Sequence, residues 1–155
     1  KLKDNNINFS LTIAGYGSET ENLIRKTKEI GLTDFVKFTG RYNYQTLPKL
    51  LSKYDFFIST SLSDAGIASS IAEAMACKNI VIVSDSAENN LWITNAVNGF
   101  LFRAGSSKSL YKSIVSAIDK KNLWDQISVN ARKTILDRND INNEMRKMYK
   151  LMELI

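Results

Sequence analysis

Short apolar stretches rich in β-branched and aromatic residues alternate, up to Arg103, with segments whose apolar residues recur at a helical period. The apolar stretches predict strands at residues 8–14, 36–39, 55–60, 80–84 and 99–102. The segments between them predict helices at residues 19–30, 44–53 and 67–77. Neighbouring parallel strands need a crossover, which is usually a helix. The order therefore predicts the α/β class, with a Rossmann-like, doubly wound parallel sheet of about five strands and helices on both faces.

After Arg103 the pattern becomes entirely helical, with helices predicted at residues 107–120, 123–136 and 141–154. No repeat, low-complexity segment or linker divides the chain, so a single domain is expected over residues 1–155. The chain starts without a methionine and enters a core-type strand almost at once, which favours a fragment of a longer protein.

No apolar run reaches the roughly 18 residues that a membrane-spanning helix needs, and the N-terminus lacks the apolar stretch of a signal peptide. A single cysteine, Cys77, cannot form an internal disulfide, so a cytoplasmic location is expected. The absence of histidine excludes Ser-His-Asp triads, Cys-His pairs and histidine-based metal sites. The net charge of +5 favours an anionic partner, which leaves open a nucleic acid, an acidic membrane surface and a phosphorylated small molecule.

Two loops that follow predicted strands are candidates for ligand binding, because ligands of such sheets bind at the carboxyl ends of the strands. The first contains Gly15 and Gly17 but lacks the third glycine of the dinucleotide fingerprint, so a tight turn is favoured over a phosphate cradle. The second, residues 61–66, opens the helix predicted at residues 67–77.

The second loop is the more informative one, since backbone amides at a helix N-terminus favour a phosphate or a carboxylate. The amides concerned are those of Gly66, Ile67, Ala68 and Ser69. Ser69 and Glu73 are four residues apart and share one helical face, which places a hydroxyl near the phosphate and a carboxylate one turn deeper. The alternative is that Ser63 or Asp64 caps the helix and that Glu73 is solvated. Spacing leaves both interpretations open.

Six sequence blocks give the chain a family resemblance. They are Ala14-Gly-Tyr-Gly, Val36-Lys-Phe-Thr-Gly40, Tyr54-Asp-Phe-Phe-Ile-Ser-Thr-Ser61, Ser70-Ile-Ala-Glu-Ala-Met-Ala-Cys77, Val81-Ile-Val-Ser-Asp85 and Val97-Asn-Gly-Phe-Leu101. Their order and spacing, over residues 9–109, resemble the C-terminal, donor-binding domain of retaining glycosyltransferases of the GT-B fold, family four, group 1 type. The resemblance implies one half of a GT-B fold, without the N-terminal acceptor domain and without the first strand–helix unit of this half.

The resemblance also implies a function. A hexosyltransferase of this kind moves a sugar from a nucleoside-diphosphate sugar to an acceptor hydroxyl with retention, here in polysaccharide or glycoconjugate synthesis, and it needs no metal and no other cofactor. The sugar or lipid-linked acceptor would bind through the missing N-terminal domain. The isolated chain is therefore expected to be inactive.

In the family, two glutamates separated by seven residues frame the donor. Glu73 matches the second, which binds the ribose, and residues 66–69 match the phosphate and sugar contacts. The first glutamate is replaced by Ala65, so the neighbouring Asp64 becomes the candidate for the sugar hydroxyls. The resemblance thus implies Asp64 and Glu73 as catalytic residues. It also implies donor contacts from Gly15, Gly17, Gly40 and Arg41, the last two at the nucleobase.

The loop after the fourth predicted strand departs from the family pattern, and Glu88 and Asn89 in this loop are interpreted as exposed residues. A second class of function stays open, namely a non-catalytic α/β module that binds a nucleotide or a protein. Nucleic acid is disfavoured, because the cations are not clustered with aromatic residues. In the basic C-terminal segment, a solvated face over a packed apolar one (Ile135, Leu136, Met145, Met148, Leu151) is favoured over peripheral contact with the inner face of a membrane.

Overall fold

The computed structural model describes residues 1–62, 66–86 and 88–152. The chain divides into two compact units, Lys1–Leu47 (unit 1) and Pro48–Ile155 (unit 2). All five predicted strands are confirmed, and every strand pair is parallel. The strands form a two-stranded sheet in unit 1 and a three-stranded sheet in unit 2. The α/β class with parallel sheets is thus confirmed.

Unit 1 is a strand–helix–strand unit. Its elements are β1 (Leu11–Ala14), α1 (Thr20–Glu29) and β2 (Val36–Gly40), with 3₁₀ turns at Lys3–Asn5 and Tyr44–Thr46. Leu11 pairs with Val36, and a register shift after Ile13 brings Ala14 opposite Gly40. The carboxyl ends of the two strands therefore lie side by side.

Unit 2 contains three strands in the order β3-β4-β5. Its elements are α2 (Leu47–Leu51, which starts at the last residue of unit 1), β3 (Phe56–Ser59), α3 (Ser69–Ala76), β4 (Ile80–Ser84), α4 (Asn89–Trp92), β5 (Phe100–Phe102), α5 (Ser107–Asp119), a 3₁₀ turn (Lys121–Leu123), α6 (Trp124–Arg138) and α7 (Ile141–Met152).

The central strand β4 is buried at every position, as its continuous apolar run predicts. Ile80 and Ile82 pack into a cluster that also contains Phe100, Phe102 and residues of α5 and α6. Val81 and Val83 point to the opposite face, because side chains alternate along a strand, and both are fully buried. Both faces of the sheet are thus covered at β4.

Several details differ from the sequence prediction. The helix expected at residues 67–77 begins at Ser69, because Gly66 has a φ of 71° and Ala68 is extended. The segment 44–53 is a 3₁₀ turn followed by the short helix α2 rather than one helix. The packed apolar face expected in the C-terminal segment is wrong for Leu136, Met148 and Leu151, which are exposed, whereas Ile135 is buried.

Candidate functional site

Unit 1 brings together two of the predicted donor residues at the carboxyl ends of β1 and β2. The amide of Gly15 donates to the carbonyl oxygen of Gly40 over 2.8 Å. The amide of Gly17 donates to the hydroxyl of Thr20 over 2.9 Å, and this closes the turn into α1. Both glycine amides are therefore occupied within unit 1. Arg41 follows β2 and is exposed.

In unit 2 the N-terminus of α3 lies beyond the carboxyl end of β3. Ala68 precedes the helix, and no side chain of the described residues caps it. The amides of Ile71 and Ala72 both donate to the carbonyl oxygen of Ala68. The amides of Ser69 and Ser70 donate to no other described residue. Of the four predicted amides, the Ser69 amide belongs to the first helical turn, and the other three precede the helix.

Glu73 lies one turn along α3 from Ser69, which places both on one helical face. It is half-buried rather than fully solvated. Its carboxylate forms no hydrogen bond or ion pair within the described residues. Asp64, the other predicted catalytic residue, lies outside the described residues, as do Ser63 and Ala65.

Serine hydroxyls link the carboxyl ends of β3 and β4. Ser84 and Ser86 both donate to the carbonyl oxygen of Ser61, Ser86 over 2.7 Å. Asn89 donates from Nδ2 to the carbonyl oxygen of Ser84 over 3.0 Å. These bonds tie the segment after β4 to the segment after β3.

The sequence analysis missed this cluster and was wrong about Asn89, which is fully buried rather than exposed. Asn89 is buried because its side chain turns inward to pair with Ser84. Serines at the ends of two predicted strands were visible in the sequence and could have indicated this cluster. For Glu88 the prediction of an exposed residue is confirmed.

Cys77 follows α3 and is half-buried. Burial raises the pKa of its thiol, the positive charge of Arg132 opposes this increase, and the negative charge of Glu73 adds to it. Arg132 also donates to the carbonyl oxygen of Ala76 at the C-terminus of α3. At neutral pH the cysteine is therefore a protonated thiol, and it is not assigned a reactive role.

An open groove of about 460 Å³ lies elsewhere in unit 2, between α4 and α6. None of the predicted site residues lines it. Its walls are held by internal bonds: Asn98 donates to Thr134, Asn130 donates to the carbonyl oxygen of Val97, and the guanidinium of Arg138 stacks on Trp92. The side-chain amides of Asn98 and Asn130 in its wall are thus hydrogen-bonded within the protein.

Across the described ranges, no three acidic or cysteine side chains are arranged to hold a metal ion. None of the helices in the same part of the chain has the length and apolar character needed to cross a bilayer.

Comparison with known proteins identifies the family. A profile of the family described as glycosyl transferases group 1 matches residues 1–134. Over 151 residues the chain is 24% identical to an uncharacterized glycosyltransferase of Methanocaldococcus jannaschii. The matched region covers 97% of this chain and 38% of that protein.

Solved structures share the fold. The crystal structure of Anabaena HepE in complex with UDP matches with a TM-score of 0.85 and 23% identity, over 95% of this chain and 41% of that one. The C-terminal domain of LpcC, a group 1 family glycosyl transferase from Francisella tularensis, matches with a TM-score of 0.75 and 22% identity, over 90% of this chain and 74% of that one.

This chain spans 38% of the archaeal relative and 41% of HepE. The resemblance to group 1 glycosyltransferases of the GT-B fold is confirmed. Because the family profile covers residues 1–134 of the 155, the chain belongs to the group 1 glycosyl transferases.

Proposed function

We propose that this chain is the donor-binding part of a glycosyltransferase that moves a sugar from a nucleoside-diphosphate sugar to an acceptor hydroxyl, in the synthesis of a polysaccharide or glycoconjugate. Family membership and the crystal structures of HepE with UDP and with UDP-glucose support this proposal. The observation in this chain that carries it is the N-terminus of α3 at the carboxyl edge of the sheet, where the amides of Ser69 and Ser70 donate to no other described residue.

The N-terminus of α3 suits a diphosphate. The amides of Ser69 and Ser70 donate to no other described residue, and they lie at the positive end of the helix dipole. Anions gain about 0.3–1 kcal/mol from such a dipole at an exposed site. Because no side chain of the described residues caps this helix, a phosphate oxygen can accept these two hydrogen bonds.

Glu73 is proposed to bind the ribose. A diphosphate seated on Ser69 and Ser70 leaves the nucleoside free to extend along the same face of α3, where Glu73 lies one turn away. A carboxylate accepts hydrogen bonds and donates none when ionised. It therefore suits the hydroxyl groups of a ribose. Asp64 stays the sequence-based candidate for the sugar hydroxyls, and Gly15, Gly17, Gly40 and Arg41 stay candidates for donor contacts.

In the proposed reaction, the bond between the anomeric carbon and the β-phosphate oxygen breaks, and its electron pair leaves with the nucleoside diphosphate. The acceptor oxygen bonds to the anomeric carbon on the same face, which retains the configuration. The proton of the acceptor hydroxyl passes to the departing diphosphate. Negative charge therefore develops on the phosphate, where fixed amide dipoles stabilise it most effectively. No metal or additional cofactor is proposed.

Donor binding and sugar transfer place different demands on the enzyme. The chain spans about two fifths of HepE, and we propose that the acceptor binds to a part of the enzyme that corresponds to the rest of HepE. The isolated chain is then expected to bind a nucleoside diphosphate weakly and to transfer no sugar.

Calorimetric titration of UDP, GDP and ADP into the chain tests the proposal. Replacing Glu73 by glutamine should weaken the preferred nucleotide roughly tenfold, because a charge-assisted hydrogen bond is lost. Inorganic pyrophosphate, which has no ribose, should bind the variant and the wild type equally. Glu21→Gln, on an exposed turn of α1, is the matched control.

Equal nucleotide binding by wild type and Glu73→Gln would remove Glu73 from the site. If none of the three nucleotides bound the wild-type chain, the donor-binding proposal would fail, and the non-catalytic module that binds a protein would take its place.

A further inference from the structure

Glu88 lies beside the proposed donor site. Its Oε2 atom is 3.9 Å from the position that a Cβ atom on Gly66 would occupy. Gly66 comes just before the N-terminus of α3, and Glu88 comes just after β4, so two separate loops bring them together. The Glu88 carboxylate is exposed and forms no hydrogen bond or ion pair in the described part of the chain.

The segment that carries Glu88 is held on both sides. Before it, Ser84 and Ser86 bond to the carbonyl oxygen of Ser61. After it, Asn89 is fully buried and donates to the carbonyl oxygen of Ser84. The backbone of Glu88 accepts a hydrogen bond from the amide of Leu91 over 2.9 Å. The placement of this carboxylate is therefore built into the end of the sheet.

A second feature marks the same edge of the sheet. The Oδ1 atom of Asn89 is buried and has no hydrogen-bond partner among the described residues. Such an unpaired buried acceptor destabilises a fold, and native proteins retain few of them. The Nδ2 atom of the same side chain bonds to the carbonyl oxygen of Ser84 and so holds the backbone next to Glu88.

The chemistry of a carboxylate restricts what Glu88 can bind. A carboxylate beside an anion site repels the phosphates and accepts hydrogen bonds. A group that suits this carboxylate beside bound phosphates is neutral, rich in hydroxyl donors and attached to the diphosphate. The sugar of a nucleoside-diphosphate sugar meets all three requirements.

We infer that Glu88 accepts hydrogen bonds from the hydroxyls of the donor sugar and so helps to select it. Its two oxygens can receive two neighbouring hydroxyls at once. This inference rests on the proposed function, and it assigns Glu88 to the sugar and not to the nucleotide.

The test compares Glu88→Gln with the wild-type chain. Calorimetric titration measures the affinity of the chain for UDP, GDP and ADP, and for UDP-glucose, GDP-glucose and ADP-glucose. The gain in affinity that glucose brings should fall roughly tenfold in Glu88→Gln, because the charge-assisted bonds are lost. Affinity for the bare nucleotide should stay equal or increase slightly, because a negative charge near the phosphates is removed.

Two further variants complete the experiment. Asp119→Asn removes an exposed carboxylate at the end of α5 with the same change in net charge, and it should change neither affinity. Asp64→Asn tests the alternative source of the sugar contact. Melting temperatures within a few degrees of the wild type would show that each variant is folded.

The outcomes separate the two proposals. A loss of the glucose gain in Glu88→Gln with nucleotide binding intact supports the inference. If the wild type binds nucleotides but Glu88→Gln keeps the full gain, or if Asp64→Asn alone loses it, Glu88 is not the sugar contact and the proposed function stands. If the wild type gains nothing from glucose, the inference is likewise overturned. If the wild type binds no nucleotide, both proposals fail.

Discussion

Gly99 precedes β5 within the block Val97-Asn-Gly-Phe-Leu101, and its surroundings explain why a glycine stands there. A Cβ atom at this position would come within 2.7 Å of Val81 Cγ2 and 3.1 Å of the carbonyl oxygen of Val81. The second contact is with backbone of the buried strand β4, which cannot move aside as a side-chain end can. The constraint is therefore one of space, since the φ of Gly99 lies outside the left-handed region.

Replacing Gly99 by alanine should lower the free energy of unfolding by about 1–3 kcal/mol, as expected for overpacking in a core. Urea denaturation measures this change. Gly17→Ala is the matched control, because a Cβ at Gly17 meets nothing within 4 Å and its φ is not positive. Equal stability of Gly99→Ala and the wild type would show that β4 and β5 can separate to admit a methyl group.

The helices α6 and α7 differ in what they contribute to the fold. Ile127, Ala131 and Ile135 of α6 are buried, and Arg132 of the same helix donates to the C-terminus of α3. In α7, Ile141–Met152, no residue is buried. One hydrogen bond, from Asn143 Nδ2 to the carbonyl oxygen of Leu136, links α7 to α6 over 3.2 Å.

Removal of residues 139–155 should therefore cost less than about 1 kcal/mol of stability, the range expected for changes that leave the core intact. Removal of residues 124–155, which include α6, should abolish cooperative unfolding, because buried residues of the core are lost. Circular dichroism during thermal denaturation distinguishes the two. Loss of a cooperative transition in the shorter deletion would show that α7 supports the core.

The strands are predicted from the sequence more accurately than the helices. The five strands could be predicted because each is a short apolar run between polar segments. The helix α4 was missed because its four residues are too few to show a period. The start of α3 was placed two residues early, since Ile67 fits an apolar helical pattern although Ala68 is extended.

Only part of the candidate site could be predicted from the sequence. That Ser69 and Glu73 share one helical face could be predicted, because four-residue spacing on a helix is visible in the sequence. The bonds from Ser84 and Ser86 to Ser61 were not, because they join residues more than 20 positions apart. The burial of Asn89 was also hidden, since an asparagine in a polar loop is usually exposed.

At the scale of the whole molecule, the chain is a basic protein of 155 residues whose two units each contain parallel strands. Its net charge of +5 is consistent with a diphosphate-bearing ligand. The function that we propose for this chain, which spans about two fifths of HepE, is donor binding. The central claim is therefore that a diphosphate binds at the N-terminus of α3.

The most direct test is a nuclear magnetic resonance titration of the ¹⁵N-labelled chain with UDP and GDP. Our account predicts that the amide resonances of Ser69 and Ser70 shift in a saturable way, and that inorganic pyrophosphate shifts the same two amides. Saturable shifts confined to the groove beside Trp92, or no saturable shift at Ser69 and Ser70 with either nucleotide, would contradict it.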